Sequence, residues 1–245
     1  MITLSGVHKT FEGNHVLRGV DLSVGRGESM VIIGGSGSGK SVLIKCILGL
    51  LTPDAGQITI DGAAMTPKTQ AGFLDRFGML FQGGALFDSL PVWQNVAFRL
   101  LRGPRKAQAR DIAIAKLAQV GLTADSADRY PSELSGGMQK RVGLARAIAA
   151  DPEVIFFDEP TTGLDPIMAG VINDLIRNVV TDLGVTAVTI THDMTSVDTI
   201  ADHVAMLHDG VIRWIGPKTA MGDADDPHLK QFIAGSTEGL IKARW

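Results

Sequence analysis

One glycine-rich octapeptide constrains this chain more than any other feature. Residues 34–41 read Gly-Gly-Ser-Gly-Ser-Gly-Lys-Ser and fit G-x-x-x-x-G-K-[ST] at every fixed position. Residues 30–33 form an apolar run of strand length, and residues 40–51 are rich in helix formers until Thr52-Pro53 ends them. Strand, loop and helix in this order predict a phosphate-binding loop, in which backbone N–H groups and a helix N-terminus point at phosphate oxygens.

Two side chains at the end of this loop have predicted roles of their own. Lys40 would reach the β- and γ-phosphates, and the hydroxyl of Ser41 would ligate Mg²⁺. A flexible glycine loop that only turns the chain is the alternative. The other motifs of the chain favour the phosphate-binding interpretation.

Two adjacent acids follow a second apolar strand. Residues 154–157 read Val-Ile-Phe-Phe and lead directly into Asp158 and Glu159. Charges at the end of a buried strand need partners. Asp158 could hold Mg²⁺ through water, and Glu159, which points elsewhere, could polarise a water that attacks the γ-phosphate. A solvated acidic turn is the alternative.

A second anion site is predicted at Ser135-Gly136-Gly137. The serine occupies the N-cap of a helix over residues 135–150, beside bare backbone N–H groups. One domain has no use for two γ-phosphate sites around one nucleotide, whereas two copies facing head to tail could each donate this site to the other's ATP. An ordinary helix cap after a loop is the alternative.

Composition limits the classes of protein. The 245 residues contain 23 Lys and Arg against 26 Asp and Glu, and the one cysteine, Cys46, lies in an apolar stretch where core packing is expected. Residues 1–9 lack the pattern of a secretory signal, and no apolar stretch approaches a membrane span. The charge balance disfavours nucleic-acid binding through a strongly basic surface, leaving only a local patch as a route. We therefore expect an intracellular protein whose membrane, if one is involved, is supplied by a partner.

The order of predicted elements indicates an α/β fold. The first sixty residues show short strands, including residues 21–24 and 57–60, with a hairpin signal at Asp61-Gly62. Helices then alternate with buried-looking strands, which predicts a mainly parallel sheet with helices on both faces and an attached antiparallel β subdomain. The remaining predicted elements are helices over residues 107–120, with Gly121 as C-cap, and 167–181, and strands over 185–191, 204–207 and 211–214.

Taken together, these motifs resemble the nucleotide-binding ATPase subunit of an ABC transporter over essentially the whole chain. The resemblance implies a P-loop NTPase fold with an antiparallel β subdomain and a helical subdomain at about residues 85–150, in a single domain over 1–245. It implies that Glu159, His192, Lys40 and Gln82 act in catalysis and that Ser41, Gln82 and Asp158 surround Mg²⁺. The residues implied in ATP binding are Phe11, which would stack on adenine, Gly34, Gly35, Ser36, Gly37, Ser38, Gly39, Lys40, Ser41, Val42, Ser135, Gly136, Gly137 and Asp165.

The subtype most similar to this chain is the ATPase of MCE-linked, Mla-type lipid transporters. The resemblance lies in residues 81–90, in Met138 where most transporters have glutamine, and in a C-terminal tail over about residues 226–245. It implies a homodimer on the cytoplasmic face of the bacterial inner membrane, a permease docked near residues 82–98, and an MCE-type lipid-binding partner that helps maintain outer-membrane lipid asymmetry. No nucleic-acid partner is expected.

Several residues have an ordinary interpretation beside the functional one. His192 could be a hydrogen-bonded core histidine and Gln82 a surface amide. The apolar side chains of residues 85–98 would serve both as subdomain core and as a groove for a partner helix. We expect structural or solvated roles for His203, His208 and His228, which lack metal-ligand spacing.

Rival functions remain open at this point. A DNA-repair or translation ATPase of the ABC type would carry a coiled-coil insertion or a second ATPase domain, and the chain has room for neither. A regulator of a cell-division membrane complex and an importer of a small polar solute share the same motifs. The ATP site does not encode the lipid, the direction of transport or the permease.

Overall fold

The computed structural model describes residues 1–242, and the chain divides into two compact units. The first comprises Met1–Phe73 together with the chain from Val188 onwards, and the second comprises Leu74–Ala187. Strands and helices occur in both units, which agrees with the predicted α/β class.

Residues 1–242 form ten strands and eight α-helices. The strands are β1 (Ile2–Phe11), β2 (Asn14–Val24), β3 (Ser29–Ile33), β4 (Ala55–Ile60), β5 (Ala63–Ala64), β6 (Phe77–Leu80), β7 (Val154–Asp158), β8 (Thr186–Thr191), β9 (His203–His208) and β10 (Val211–Pro217). The helices are α1 (Lys40–Ile47), α2 (Gln70–Leu74), α3 (Val92–Val96), α4 (Ala109–Gln119), α5 (Gly136–Ile148), α6 (Pro166–Leu183), α7 (Met194–Ile200) and α8 (Pro227–Ala234).

The antiparallel subdomain lies in the first unit, with strand order β2-β1-β4-β5. Its first two strands are ten and eleven residues long, so the prediction of short strands is wrong for them. Gly6 lies at a register shift between β1 and β2 and has a φ of 55°, and its N–H donates to Asp21 Oδ1 at 2.8 Å. A β-bulge accommodates this glycine inside the strand. The predicted hairpin at Asp61-Gly62 is confirmed, because it joins β4 to β5 with positive φ at both residues.

The first unit also contains a pair of parallel strands. One of them is β3, whose five residues are all buried. It pairs in parallel with β9, and β9 continues into the antiparallel hairpin partner β10. Helix α1 follows β3 and buries Cys46 completely, which confirms the predicted core role of this cysteine. Burial raises the pKa of the Cys46 thiol to about 11, so it stays protonated at neutral pH.

In the second unit, β6 and β7 pair in parallel, and α5 packs against β6. The core includes Phe156, whose ring meets that of Phe77 edge-on with centroids 5.2 Å apart. The C-cap of α4 is Val120, one residue before the predicted Gly121, which follows the cap with a φ of 72°. Asp151, with a φ of 54°, turns the chain between α5 and β7, and Arg105 and Lys116 each bond its carboxylate at 2.8 Å.

We expect Gly78→Ala to destabilise the second unit strongly. A Cβ at Gly78 would lie 2.2 Å from the carbonyl oxygen of Ala147 on α5, so strand and helix would have to separate. Overpacking of this kind costs about 1–3 kcal/mol or more. Thermal unfolding measures the effect, with Gly170→Ala on α6 as control, because a Cβ there meets no atom within 4 Å. Equal melting temperatures for the two variants would contradict this close packing.

The predicted C-terminal tail, residues 226–245, begins with α8, and its residues 243–245 lie outside the described residues. Asp226 caps the helix by accepting the N–H of Leu229 at 2.8 Å, and Gly235 ends it with a φ of 61°. Gln231 then holds the following chain through two hydrogen bonds to Ile241, of 2.7 and 2.9 Å. Within residues 1–242, no helix combines the length and apolarity needed to cross a bilayer.

Candidate functional site

The predicted phosphate-binding loop of the first unit connects β3 to α1. Its entry is fixed by close packing, because a Cβ at Gly34 would lie 2.2 Å from the carbonyl oxygen of Leu207. Gly39 closes the loop in a left-handed conformation, with a φ of 105°, and serves as the N-cap of α1. Glycine is required at both ends of the loop, for space at one and for backbone conformation at the other.

Lys40 is held in a defined position by the loop itself. Its ammonium donates to the carbonyl oxygens of Gly34 at 2.6 Å and Gly35 at 3.1 Å, and the residue is only 8% exposed. A buried ammonium surrounded by loop carbonyls is a fixed positive charge, which suits a phosphate at the same loop.

The loop fits an anionic ligand. Ser38 Oγ is buried and forms no hydrogen bond to any atom of residues 1–242. Helix α1 has no side-chain cap and no acid in its first turn within the described chain, so its N-terminal N–H groups keep their positive partial charge. A cavity of about 500 Å³ opens beside the loop, lined by Gly35, Ser36, Gly37, Ser38, His208, Asp209, Ile241 and Lys242.

Three further predicted nucleotide-binding residues lie in the first unit. Ser41 presents an exposed hydroxyl in the first turn of α1, and Val42 beside it is half-buried. Phe11 ends β1 and is 40% exposed, although it is a large apolar residue. The ammonium of Lys9 lies 5.5 Å from the centre of the Phe11 ring and bonds Asp54 at 2.7 Å, so Asp54 holds the cation beside the ring.

His192 lies exposed at the end of β8, so the interpretation as a buried core histidine is wrong. Its neighbours hold the turn in place. The N–H of Asp193 donates to Thr191 Oγ1 at 3.1 Å, and Asp193 caps α7 by accepting the N–H of Thr195 at 2.9 Å. The imidazole is thereby presented on an ordered turn.

The second unit carries the predicted acids. Asp158 ends β7 and, like Glu159, is half-buried. Glu159 has a φ of 46°, an uncommon conformation for a residue with a side chain. Thr162 Oγ1 lies 3.4 Å from Glu159 Oε2. The structure thus places both predicted acids at the end of β7, with Thr162 beside the second of them.

Gln82 follows β6 with its side chain exposed, while its backbone is held from α5. Lys140 Nζ donates to the carbonyl oxygen of Gln82. Arg146, also on α5, donates to the carbonyls of Gly84 at 2.6 Å and Ala85 at 2.7 Å. The side chain of Gln82 is therefore exposed on a loop whose backbone is bonded from α5.

Ser135 is the N-cap of α5, and its Oγ accepts the N–H of Met138 at 3.3 Å. The predicted N-cap is therefore confirmed, and Gly136 beside it is exposed. Gly137 lies against Met168, whose methyl carbon would be 2.6 Å from a Cβ at this position. Asp165 caps α6 by accepting the N–H of Met168 at 3.0 Å, so the serine loop and the Asp165 turn meet through Met168.

Residues 82–98 combine buried and exposed apolar side chains, as expected. Val92 and Val96 are in the core, whereas Phe87 is 43% exposed and stacks on Phe98 with ring centroids 4.5 Å apart. Asn95 is fully buried and fixes the exposed segment, accepting the N–H of Phe87 at 2.7 Å and donating to its carbonyl at 3.1 Å and to that of Leu90 at 2.9 Å.

Three histidines with expected structural or solvated roles, His203, His208 and His228, lie near acids in the first unit. His203 Nδ1 lies 3.1 Å from Glu28, and the rings of His208 and His228 lie 5.0 Å apart. Within the described part of the chain, no group of three or more His, Cys, Asp or Glu is arranged to hold a metal ion.

Sequence reasoning missed Lys140, Arg146 and Asn95. All three act on the backbone of residues 82–90. A helical lysine or arginine is usually solvated, so neither gave a signal. The one available clue was Asn95 itself, a polar residue with apolar neighbours in the sequence.

Comparison with known proteins identifies the class that the loop, the two acids and the fold define. The ABC transporter family model matches residues 17–162, and the chain belongs to this family. The chain is similar in structure to the dimeric ATP-binding cassette MJ0796 bound to ADP and Pi, with a TM-score of 0.81 and 30% identity over 89% of this chain and 99% of that one. Against cbiO1 of Clostridium perfringens the TM-score is 0.83, with 28% identity over 95% and 94% of the two chains.

Individual relatives narrow the resemblance. The chain is 38% identical to the intermembrane phospholipid transport system ATP-binding protein MlaF of Escherichia coli, covering 100% of this chain and 93% of MlaF. It is 38% identical to the chloroplastic protein TRIGALACTOSYLDIACYLGLYCEROL 3 of Arabidopsis thaliana, over 99% and 76% of the two chains. The probable ribonucleotide transport ATP-binding protein mkl of Mycobacterium tuberculosis also matches at 38%, over 98% and 68%. The predicted family and its Mla-type resemblance are confirmed, and the chain is a nucleotide-binding ATPase of the ABC type.

Proposed function

We propose that this ATPase powers lipid trafficking, with phospholipid as the transported class, through a membrane permease and an MCE-type lipid-binding partner. The observation that carries the proposal is the 38% identity to MlaF across the entire chain. The glycolipid in the name of the Arabidopsis relative supports a lipid substrate. The chain would act as a peripheral subunit on the cytoplasmic face of the inner membrane.

In this proposal the active form is a homodimer that binds two ATP molecules. Each ATP is bound by residues 34–41 of one copy and by the Ser135 loop of the other. Two observations support a second copy: the similar cassette MJ0796 is dimeric, and Ile167, next to the Asp165 turn, is 79% exposed although it is a large apolar residue. Nucleotide binding would then hold the two copies together, and hydrolysis would release them.

The site residues would divide the chemistry between them. Ser41, Gln82 and Asp158 supply the oxygen donors that Mg²⁺ prefers, and Mg²⁺ would neutralise charge on the phosphates. Glu159 would position and polarise the attacking water. Lys40 and His192 would stabilise negative charge on the transferring phosphoryl group. Phe11 and Val42 would contact the nucleotide, and Asp165 would complete the site from the dimer interface.

Residues 82–98 are the proposed docking surface for the permease. Purification of the membrane complex through this subunit, followed by mass spectrometry of its proteins and lipids, tests the whole proposal. We expect a permease, an MCE-type protein and bound phospholipid. We further expect Phe87→Asp to remove the permease from the complex, because a carboxylate cannot be buried in an apolar contact.

Leu50→Asp is the matched control, since Leu50 is an exposed apolar residue far along the chain from the docking surface. Retention of the permease by both variants would contradict the proposed surface. A cell-wall hydrolase activator in place of the MCE-type protein would favour the cell-division regulator.

Import of a small polar solute is the second candidate function, favoured by the name of the mycobacterial relative, a probable ribonucleotide transport protein. It predicts a complex free of phospholipid whose ATPase activity rises with the solute. The same purified complex, assayed with ribonucleotides and with phospholipid vesicles, separates the two candidates.

A further inference from the structure

Lys140 is a buried cation that has no role in the proposed mechanism of ATP hydrolysis. It lies on α5 and is only 5% exposed, although a lysine on a helix normally reaches solvent. Burying an ammonium is costly unless hydrogen bonds and opposite charges compensate. The partners of Lys140 should therefore explain why a lysine is present.

Those partners are residues of the predicted catalytic machinery. The ammonium donates to the carbonyl oxygen of Gln82. Burial lowers the pKa of Lys140, and the negative charges of Asp158 and Glu159 oppose that shift. The Gln82 loop and the two acids follow neighbouring strands, because Leu80 at the end of β6 pairs with Phe157 in β7.

The surrounding contacts show that α5 holds the Gln82 loop on both sides. Before it, Leu80 packs so closely on α5 that a Cβ at Gly143 would lie 2.7 Å from its side chain. After it, Arg146 bonds the carbonyls of Gly84 and Ala85. Lys140 adds the contact to Gln82 itself, from the same helix that Ser135 caps.

We propose that Lys140 is a positioning residue for ATP hydrolysis, which fixes the backbone of Gln82 relative to Asp158 and Glu159 within one copy of the chain. The inference rests on the proposed roles of Gln82 and Glu159. The ammonium would anchor the loop whose carboxamide would contact Mg²⁺, and its charge would be attracted to the carboxylate that would activate water. Movement of α5 at the Ser135 end would be transmitted to both.

The test uses the full-length protein and steady-state ATPase kinetics. We expect Lys140→Met, which keeps the length of the side chain and removes its donor and charge, to lower kcat about tenfold or more. ATP affinity, measured with a fluorescent nucleotide in EDTA, should change less than about threefold, because an interaction made mainly in the hydrolysis step affects kcat more than binding. Lys140→Arg, which restores both donor and charge, should recover most of kcat.

A double-mutant cycle with Gln82→Ala separates positioning from a merely structural role. This substitution leaves the carbonyl that Lys140 contacts and removes the side chain that it positions. If Lys140 acts through the Gln82 side chain, Lys140→Met should lower kcat much less in the Gln82→Ala background than in the wild type. A general loss of stability would lower kcat equally in both.

Lys116→Met is the matched control, since Lys116 is a largely covered lysine of the same unit whose ammonium bonds Asp151 at 2.8 Å, away from the predicted site. A normal kcat in Lys140→Met, additive effects in the cycle, or parallel losses in the Lys140 and Lys116 variants would each overturn the proposal. A normal rate in Gln82→Ala would overturn the role of Gln82 and this inference together. A slow Gln82→Ala beside a normal Lys140→Met would overturn this inference alone.

Discussion

Glu159→Gln is expected to lower kcat for ATP hydrolysis by about 10²- to 10⁴-fold, the contribution of a positioned general base. Glutamine has nearly the same shape, and its side-chain oxygen can still accept a hydrogen bond from Thr162 as the glutamate does. The left-handed backbone conformation of residue 159 is equally unfavourable for glutamate and glutamine, so the substitution should not change the backbone there. Single-turnover ATPase measurements give the rate, and nucleotide binding should remain intact.

The same variant should accumulate as an ATP-bound dimer, which size-exclusion chromatography with and without ATP detects. Ser135 offers a sharp control for this assembly. Ser135→Asp keeps a residue that caps helices well but places a negative charge where a phosphate would bind, whereas Ser135→Asn keeps the cap without the charge. We expect dimers of Glu159→Gln with Ser135→Asn and monomers with Ser135→Asp. Normal hydrolysis by Glu159→Gln would show that Glu159 is wrongly assigned.

Lys40→Met should weaken ATP binding about tenfold or more, equivalent to about 1.4 kcal/mol, and lower hydrolysis about 10²-fold or more. The expected loss is large because the loop fixes the ammonium through the carbonyls of Gly34 and Gly35 before ATP arrives. A preorganised charge stabilises the reacting phosphate without reorganisation during the reaction. Isothermal titration calorimetry and ATPase assays measure the two quantities.

The control for Lys40 is Lys45→Met, a substitution of the same type at an exposed lysine of the same helix. It should leave both quantities within about twofold of the wild type, since exposed charges interact weakly with distant groups. Circular dichroism should show helix content unchanged in both variants. Equal effects at the two positions would mean that the binding loss reflects net charge, and not the fixed ammonium of Lys40.

The parts of the site that could be predicted from sequence are those made by neighbouring residues. The loop over residues 34–41 is recognisable because its function depends on glycines, a lysine and a helix start that follow one another along the chain. The same holds for Asp158 and Glu159 after β7, and for the cap formed by Ser135. In each case, neighbouring residues in the sequence supply the groups on which the prediction depends.

Other features depend on contacts between distant segments. Lys140 reaches a carbonyl that lies 58 positions earlier in the sequence, and only the packing of α5 on β6 decides that it faces inwards. The lengths of β1 and β2 also depend on such contacts, because a bulge at Gly6 lets the two strands continue pairing past a glycine. The length of such a strand is decided by its pairing with other strands, which sequence patterns predict poorly.

Asn95 has a consequence for partner binding that concerns entropy. A docking loop that is mobile before binding loses conformational freedom when a partner orders it, and that loss weakens the association. Because Asn95 ties Phe87 and Leu90 together inside a single chain, the exposed aromatic surface is already ordered before any partner arrives. A partner helix would meet an ordered template, so less of the contact free energy would be lost in ordering this surface.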